Sequence, residues 1–532
     1  MDASSLFICV GIGVTIIYVT SRALGLSKNA GRPPLPPGPK GLPLVGGFND
    51  LPEPGVVESE HWLKHKKLYG PLSSLTTMGQ TIVVLNDAKI ARELLDKRSA
   101  IYSSRPKQVF AGEIIGWENS LTTSPYNSRF RMYRKNIGRI IGSKVTASQF
   151  DKLQEAEVGH FLLHVLDSPE CLREHIKKET GTVISKITYG YTAESHRDDP
   201  FIDLGSSASD HFSLAGVPGS FIVDILPFLK YLPEWLPGAG FKKLGRQWAA
   251  ELTRVTETPY AFVKHQMSQG KDRGSFLAQL LEAGDTDPEE QHTNKYSAIS
   301  LYAGGIDTTV SSLRWFFVAM MIYPEVQRRA QQEIDSAVGR DRLPDFADRE
   351  NLPYIDAVLK EVLRWNPVTP MGIPHASTKD DVFKGYFIPK DSTLLTNLWH
   401  FTHDPEIYRD PTVFKPERYL AQNGSEPEPD PHGLVFGFGR RICPGQVLAD
   451  KTLYLNIAQV LAVFNISKHV ENGREIEPSL HLEPGVISQP MPYKCLIKPR
   501  SPHHEKLIRS IEDRFPWEES DSKVLESISS QM

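Results

Sequence analysis

The stretch from Phe436 to Gly445, FGFGRRICPG, most constrains what this chain can fold into, because it presents one cysteine in a setting suited to holding a metal as a thiolate. The glycines before Cys443 allow a tight loop whose amide N–H groups can point at the sulfur. Pro444 fixes its own backbone and donates no hydrogen bond. The residues from Gln446 onward predict a helix, whose positive N-terminal dipole would lower the thiol pKa. A small buried cysteine without a ligand is the ordinary alternative.

The pattern F-x-x-G-x-R-x-C-x-G is filled at every fixed position, and it resembles the haem-binding signature of the cytochrome P450 family. The resemblance implies haem b as the cofactor, with Cys443 as the axial thiolate ligand of its iron. It also implies that Phe436 and Arg441 belong to the cofactor site. The fold implied is mainly α with small β-sheets (α+β), that of the cytochrome P450 family.

Length and composition favour one large catalytic domain. The 532 residues contain no internal repeat and no low-complexity linker that would divide them. Lys+Arg 60 against Asp+Glu 64 leaves a net charge of -4, which gives no electrostatic footprint for nucleic acid. The four cysteines, Cys9, Cys171, Cys443 and Cys495, are widely spaced, so neither a disulfide framework nor a C-x-x-C zinc site is predicted. This usage favours a reducing compartment.

The segment from Leu6 to Val19, LFICVGIGVTIIYV, is almost entirely apolar and with its flanks is just long enough to cross a bilayer. Basic residues follow it and none precedes it, which places the remaining chain in the cytosol. A cleaved signal peptide is the alternative, but a basic n-region and a clear cleavage site are missing. We therefore expect a single N-terminal transmembrane helix in the endoplasmic reticulum membrane, with the catalytic domain cytosolic.

Three parts follow from this organisation: an anchor with its basic flank at 1–32, a haem-thiolate monooxygenase domain at 33–500 that starts with a Pro-rich hinge, and a polar, loosely ordered C-terminal extension at 501–532. After the hinge, a helix is predicted over Glu58 to Tyr69, and strands over Leu72 to Thr77 and Thr81 to Leu85. Alternating runs between Val382 and Leu398 predict further small strands.

A basic segment around Arg134 resembles the family's W-x-x-x-R helix, although Phe130 stands in the Trp position. The resemblance implies that Arg134 binds a haem propionate. His375 follows a proline where fungal members place a histidine beside a propionate, so it is assigned the same role, and Thr369 to Ile373 are assigned to the pocket wall. Three basic residues of the same segment are candidates for docking an acidic reductase: Arg131, Lys135 and Arg139.

The longest helical candidate runs from Tyr296 to Tyr323, and its middle reads AGGIDTT. Two adjacent glycines cost a helix about 1 kcal/mol each relative to alanine, so close approach of a ligand is a reason for their presence. The stretch matches the family's A/G-G-x-D/E-T-S/T helix. By that resemblance Thr308 hydrogen-bonds bound dioxygen and Asp307 relays protons from solvent. A helix break capped by Asp-Thr-Thr is the alternative.

Glu361 and Arg364 form an i, i+3 pair that alone is commonplace. Downstream, the PERY stretch that contains Arg418 matches the family's P-E-R-F/Y segment, which implies a buried network of these three side chains with a structural role. The stretch from Leu214 to Phe241 is dense in aromatics and prolines. Core packing is one interpretation of it, and a membrane-facing roof over the substrate channel, as in membrane-bound members, is the other.

The resemblance covers the chain from Pro33 to about Pro499 and implies a monooxygenase that inserts one atom of O2 into an apolar small molecule. Its expected partners are the membrane and NADPH-cytochrome P450 reductase, with cytochrome b5 as an optional second donor. Likeness to the fungal O-methylsterigmatocystin oxidoreductase group implies secondary-metabolite biosynthesis. Two alternatives stay open: a haem-thiolate isomerase or dehydratase that does not use O2, disfavoured by Asp307 and Thr308, and a non-catalytic haem-binding protein.

Overall fold

The computed structural model describes residues 31–42, 45–53, 55–271, 274–284, 287–421, 424 and 426–531. The predicted transmembrane segment, Leu6 to Val19, lies outside these residues. None of the helices in the described ranges combines the length and the apolar character needed to span a bilayer. The anchor therefore stays a prediction from the sequence.

Helices dominate the described chain. The first ten α-helices are α1 (Glu58–Tyr69), α2 (Ala88–Arg92), α3 (Ser99–Tyr102), α4 (Ser128–Ile141), α5 (Lys144–Ala147), α6 (Asp151–Asp167), α7 (Leu172–Tyr189), α8 (Pro200–Ala215), α9 (Ile222–Ile225) and α10 (Gly240–Ser268). The next ten are α11 (Phe276–Ala283), α12 (Pro288–Ile322), α13 (Pro324–Ala337), α14 (Pro353–Trp365), α15 (Leu398–Thr402), α16 (His432–Val435), α17 (Gln446–Val463), α18 (Pro502–Arg509), α19 (Ile511–Arg514) and α20 (Ser522–Ser529).

The strands are short. They are β1 (Leu72–Thr77), β2 (Gln80–Leu85), β3 (His375–Ala376), β4 (Asp381–Phe383), β5 (Tyr386–Ile388), β6 (Thr393–Thr396), β7 (Phe464–Lys468), β8 (Val470–Glu471), β9 (Arg474–Glu475) and β10 (Cys495–Pro499). The predicted α+β class, mainly helical with small sheets, is therefore what the chain adopts.

One compact unit comprises the described residues up to Pro106 together with Pro374–Asn397. Its sheet has the strand order β1-β2-β6-β3, with β2 antiparallel to β1 and parallel to β6. Met78 and Gly79 both have positive φ in the turn between β1 and β2, as a tight hairpin requires. The predictions of helix α1, of the first two strands and of small strands after Val382 are confirmed, with β2 starting one residue early at Gln80.

The other compact unit comprises the described residues of 107–373 and 398–532. Its centre is α12, which packs against α4, α7, α8 and α17. The second half of α12 is apolar around most of its circumference and buried, as expected of a helix inside a large core. This helix begins earlier than the predicted Tyr296, because Asp287 caps it by accepting hydrogen bonds from the backbone N–H groups of Glu289 and Glu290.

The C-terminal extension does not have the loose order predicted for it. It forms α18, α19 and α20, of which the first two pack on α6 and the third on α10. Ile508, Ile511 and Leu525 are buried there. The prediction was wrong because a polar average composition concealed an amphipathic pattern, whose few apolar side chains all lie on the protein-facing side.

Candidate active site

The loop that presents Cys443 lies between α16 and α17. Gly437 and Gly439 have φ values of 81° and 56°, which side chains with a Cβ rarely adopt. The backbone N–H of Cys443 donates to the carbonyl of Phe436 at 2.8 Å and closes the loop. Backbone N–H groups of Gly445 and Gln446 donate to the half-buried Cys443 sulfur, at the start of α17. The loop therefore directs several donors at one sulfur.

The thiol pKa differs from the sequence prediction. In the protein chain by itself, burial raises the pKa of the Cys443 thiol, although the N–H groups of Gly445 and Gln446 and the nearby charge of Arg134 act in the opposite direction. The prediction of a lowered thiol pKa was wrong for the chain alone, because it considered the helix dipole without the desolvation of the sulfur. A positive metal charge at the sulfur would favour the thiolate.

Arg134 comes from α4, whose first turn is capped when the Asn127 side chain accepts a hydrogen bond from the backbone N–H of Phe130. The half-buried Arg134 guanidinium donates to the carbonyl of Ile442, the residue before Cys443. The helix thus delivers a positive charge to the rim of the cysteine loop. Burial lowers the pKa of Arg134, an effect that the charge of Cys443 opposes.

Arg441 is buried against α4 from the other side of the loop. Its guanidinium lies 3.7 Å from the centroid of the Phe130 ring, and Phe130 is itself buried. Arg441 also donates to two backbone carbonyls, those of Leu121 and Ser124, at 3.1 and 2.6 Å. Phe130, which occupies the family's Trp position, therefore packs against Arg441 of the cysteine motif.

The two glycines in the middle of α12 have different surroundings. A Cβ at Gly305 would lie 2.6 Å from Ile184 Cγ1, so this glycine lets α7 approach α12 closely. A Cβ at Gly304 would meet no described protein atom within 4 Å. Helix α12 is continuous through this region, so the alternative of a helix break is wrong. Gly304 therefore leaves open space beside the helix, where a bound group can approach the backbone.

Thr308 and Asp307 follow the glycines. The half-buried Thr308 hydroxyl donates to the carbonyl of Gly304 at 2.8 Å. The Asp307 side chain is 2% exposed, and its Oδ2 has no hydrogen-bond partner among the described residues. Burial raises the pKa of Asp307 to about 6, against a hydrogen bond from Ser209 that lowers it. Asp307 can therefore gain and lose a proton near neutral pH.

His375 belongs to the smaller unit, whereas the other six predicted site residues belong to the larger one. Its imidazole Nδ1 lies 2.7 Å from the carbonyl of Tyr102, so this nitrogen carries the proton and donates. Nearby, Arg105 donates to the carbonyl of Pro374 at 2.8 Å, and burial lowers the pKa of Arg105 to about 9. Sequence reasoning missed Arg105, because a single arginine before a proline carries no pattern.

Glu361, Arg364 and Arg418 form the predicted network, and all three are buried. Glu361 and Arg364 pair through two hydrogen bonds of 2.8 and 2.9 Å. Arg418 Nε lies 3.1 Å from both oxygens of Glu361. A further bond of 2.6 Å joins Arg418 to Glu428, on the segment that leads to the cysteine loop. The structural role predicted for these side chains fits these contacts.

His432 stands on the same approach to the cysteine loop. Its two ring nitrogens lie 2.6 Å from Asp430 and 3.1 Å from Asp450, and its ring stacks on Phe436 with centroids 5.5 Å apart. Burial opposes a charge on the ring, but the two carboxylates outweigh it and raise the pKa of His432 to about 9. Neither His432 nor Ser209 was predicted from the sequence. His432 contacts Asp450 and Ser209 contacts Asp307, and no sequence motif links the two residues of either pair.

Comparison with known proteins identifies the family to which this fold and loop belong. The cytochrome P450 sequence profile matches residues 36–497. The chain is 47% identical over 508 residues to cytochrome P450 monooxygenase claR of Ampulloclitocybe clavipes, covering 94% of each protein. It is 44% identical over 495 residues to cytochrome P450 monooxygenase ppsD of Aspergillus oryzae, covering 92% of this chain and 94% of the relative. It is 41% identical over 520 residues to O-methylsterigmatocystin oxidoreductase of Aspergillus flavus, covering 97% of each.

The chain belongs to the cytochrome P450 family, and it is a monooxygenase of that family. The family implies a haem whose iron is bound by a cysteine thiolate, together with O2, a small-molecule substrate and a redox partner. The cysteine loop and the open space at Gly304 fit such a group, because one supplies a sulfur with backbone donors and the other leaves room beside α12.

Proposed function

We propose that the chain uses Cys443 as its haem ligand, accepts electrons from NADPH through NADPH-cytochrome P450 reductase, and oxygenates an apolar small molecule in fungal secondary metabolism. When bound, the haem supplies the redox chemistry that reduces O2, places one oxygen atom in a C–H bond and releases the other as water. The observation that carries the proposal is the pair of backbone donors that converge on the Cys443 sulfur.

The other described cysteines lack this setting. Burial raises the pKa of the Cys495 thiol to about 12, with no hydrogen-bond donor acting against it. Cys171 lies at the end of a single 3₁₀ turn before α7. A thiolate ligand needs donors that stabilise its negative charge, and Cys443 has them from Gly445 and Gln446.

Asp307 and Thr308 supply the proton path in this proposal. A hydroxyl positions dioxygen and passes a proton to it, and an acid beside it recovers the proton from solvent. The Asp307 carboxyl suits the second task, since its pKa of about 6 lets it hold or release a proton near neutral pH. The Thr308 hydroxyl suits the first, because Gly304, the residue whose carbonyl it bonds, borders the open space.

Arg134, His375, Arg441 and Phe436 are proposed to hold the cofactor, with propionate binding assigned to Arg134 and His375. The support for Arg134 is its position on the rim of the cysteine loop. The support for His375 is a buried ring whose Nδ1 donates to the carbonyl of Tyr102, which fixes the orientation of the ring. The Arg134 guanidinium offers N–H groups that suit a carboxylate.

Membrane attachment through the segment from Leu6 to Val19 is part of the proposal, and so is a second membrane contact. Large apolar side chains between α8 and α10 are exposed, among them Tyr231 at 77% and Trp235 at 80%. Exposed apolar patches with aromatic residues mark interaction surfaces, and Trp and Tyr favour the membrane interface. The domain limits proposed are an anchor at 1–32, a catalytic domain at 33–500 and an extension at 501–532.

The proposed reductase docking face is on α4. Arg131, Lys135 and Arg139 follow one another at intervals of four residues, so they lie on one face of this helix, and all three are exposed. Arg134, on the rim of the cysteine loop, belongs to the same helix. A basic face so placed is complementary to an acidic electron donor.

The ligand assignment is tested with Cys443→Ala and with Cys495→Ala as the matched control. We expect Cys443→Ala to lose the ferrous-carbon monoxide absorbance of haem-thiolate proteins and Cys495→Ala to keep it, because only the first removes the iron's sulfur. A Cys443→Ala protein with the normal band would show that another residue binds the iron.

The reaction class is tested with the full-length protein, its reductase and NADPH. The substrate is identified first, by deleting the gene in the producing fungus and isolating the metabolite that accumulates. A monooxygenase consumes NADPH and O2 when this metabolite is added and releases an oxygenated product. An isomerase, a dehydratase or a haem-binding carrier would consume no NADPH, and that result would contradict the proposal.

A further inference from the structure

A cavity of about 420 Å³ lies within the larger unit, between α6, α7 and the C-terminal extension. This volume falls within the range of about 300–1,000 Å³ that is usual for small-molecule sites. None of the described residues assigned above to the haem site lines it. The segment 514–518, which begins with the last residue of α19, forms one wall, so the extension contributes to the cavity.

A buried carboxyl group faces this cavity. Glu179 of α7 lines it and is only 3% exposed. The side-chain amide of Asn456 donates to Glu179 Oε1 at 3.2 Å, whereas Oε2 has no hydrogen-bond partner among the described residues. Burial raises the pKa of Glu179 to about 8, so the group is protonated at neutral pH. Because Oε1 accepts from Asn456, the proton belongs on Oε2, which is a donor without an acceptor.

The opposite side of the cavity is aromatic. The Trp517 indole stacks on the His160 ring with centroids 3.9 Å apart, and the His164 ring lies 5.3 Å from it. His160 is held by a 2.9 Å hydrogen bond from its Nε2 to the carbonyl of Phe515. Burial lowers the pKa of His164 to about 3, so this ring is uncharged at neutral pH. The wall therefore offers flat ring surfaces, of which the His164 ring is uncharged.

A metal ion does not fit these histidines. Across the residues that the structure describes, no group of three His, Cys, Asp or Glu side chains is arranged to hold one. The rings of His164 and His175 lie nearly parallel, 16° apart, with centroids separated by 5.4 Å. Rings stacked in this way present their faces to each other, whereas metal ligands point their nitrogens at one position.

A charged organic ligand is disfavoured, because two of the three lysines that line the cavity are already paired and the third, Lys152, is exposed to solvent. Lys178 Nζ donates to the carbonyls of Ser195 and Arg197 at 3.1 and 2.8 Å. Lys186 Nζ lies 2.7 Å from the Glu518 carboxylate. An anion at Lys178 or Lys186 would have to displace these partners. The lining carboxylates are paired as well, Glu157 with His160, Glu194 with Arg197 and Glu518 with Lys186, so a cation would have to displace theirs.

We propose that this cavity binds a small, uncharged aromatic molecule with a hydrogen-bond acceptor, whose ring packs on Trp517 and His164 and whose acceptor accepts a hydrogen bond from Glu179 Oε2. Aromatic stacking and one buried hydrogen bond are the interactions on which the proposal depends. The site is separate from the haem and does not depend on the reaction proposed for it.

The test uses full-length holoenzyme with coumarin as the probe, an uncharged bicyclic aromatic molecule whose lactone carbonyl is an acceptor. Naphthalene, which has the same ring size and no acceptor, is the matched control ligand. The aliphatic amine n-octylamine is present throughout, because its nitrogen coordinates the haem iron and it has no aromatic ring to compete for the cavity. Binding is measured by saturation-transfer NMR titration.

We expect coumarin to bind saturably and more tightly than naphthalene. Glu179→Leu should weaken coumarin binding roughly tenfold, the loss of one buried hydrogen bond, and leave naphthalene binding unchanged. Glu179→Gln should keep coumarin affinity within about threefold, since its amide also donates. Ala156→Phe, which fills the cavity with a ring, should abolish the binding of both ligands. Phe48→Ala, at an exposed aromatic residue outside the cavity, should change nothing.

Two results would overturn the proposal. One is a wild-type protein that does not bind coumarin saturably when the amine is present, since the cavity would then hold only solvent. The other is a coumarin affinity that is the same in wild type and Glu179→Leu. Glu179→Leu is misfolded if it lacks the ferrous-carbon monoxide band. In that case the test depends on Ala156→Phe, and a coumarin affinity in Ala156→Phe equal to that of wild type would also overturn the proposal.

Discussion

Replacing Glu361 by Gln should destabilise the protein strongly, because the carboxylate compensates two buried guanidinium groups. Arg364 and Arg418 are almost completely inaccessible, and both donate to Glu361 at 2.8–3.1 Å. The backbone N–H of Lys415 also donates to Glu361 Oε1, at 2.7 Å. A Gln side chain keeps the volume, but it removes the charge and turns an N–H group toward donors.

Leaving a buried charge uncompensated costs about 3–5 kcal/mol. The matched control is Glu289→Gln, which also removes a carboxylate paired with an arginine, Arg129, through two hydrogen bonds of 2.6 Å, but at an exposed position. Exposed ion pairs contribute little, so the control should remain close to wild type. The assays are the urea midpoint of unfolding and the ferrous-carbon monoxide absorbance per mole of protein.

We expect Glu361→Gln to lower both quantities, because Arg418 also holds Glu428 on the segment that leads to the cysteine loop. Equal, small losses in Glu361→Gln and Glu289→Gln would refute the reasoning. They would mean that the buried guanidinium groups find compensation elsewhere when the carboxylate is lost.

Three further results are expected. Thr308→Ala should lower product formed per NADPH and raise hydrogen peroxide release, with Thr308→Ser near wild type; an equal ratio in both would mean that another group delivers the proton. The pKa of His432 is about 9, above its ordinary value near 6.5, so its stabilisation is complete below pH 6.5 and is lost as pH rises toward 9; His432→Gln should flatten the fall in unfolding midpoint over that interval, and an unaltered fall would contradict the assignment. Gly305→Ala should cost about 1–3 kcal/mol through overpacking against Ile184, whereas Gly304→Ala should be tolerated; calorimetric unfolding that ranks them the other way would refute this.

Local features of the sequence were enough to predict much of the secondary structure. The helix from Glu58 to Tyr69 and the hairpin around Met78-Gly79 depend on periodicity and turn residues that are adjacent in the chain. The loop around Cys443 was predictable for the same reason, since its glycines, its proline and the helix after it lie within a few residues of one another. The network of Glu361 and Arg418 was predicted through the family motifs. The spacing of these residues in the sequence does not by itself indicate that their side chains meet.

The pKa values and hydrogen-bond partners of the buried titratable groups were decided only by the tertiary structure. The Cys443 thiol pKa is raised because other segments exclude water from the sulfur, and no property of neighbouring residues measures that burial. Asp307 meets Ser209, and Glu179 meets Asn456, through helices that the folded chain brings together. Sequence by itself determined which groups the chain carries and which local shapes it prefers; folding decided which of them lose water and which partners replace it, since desolvation and hydrogen bonding depend on contacts between distant segments.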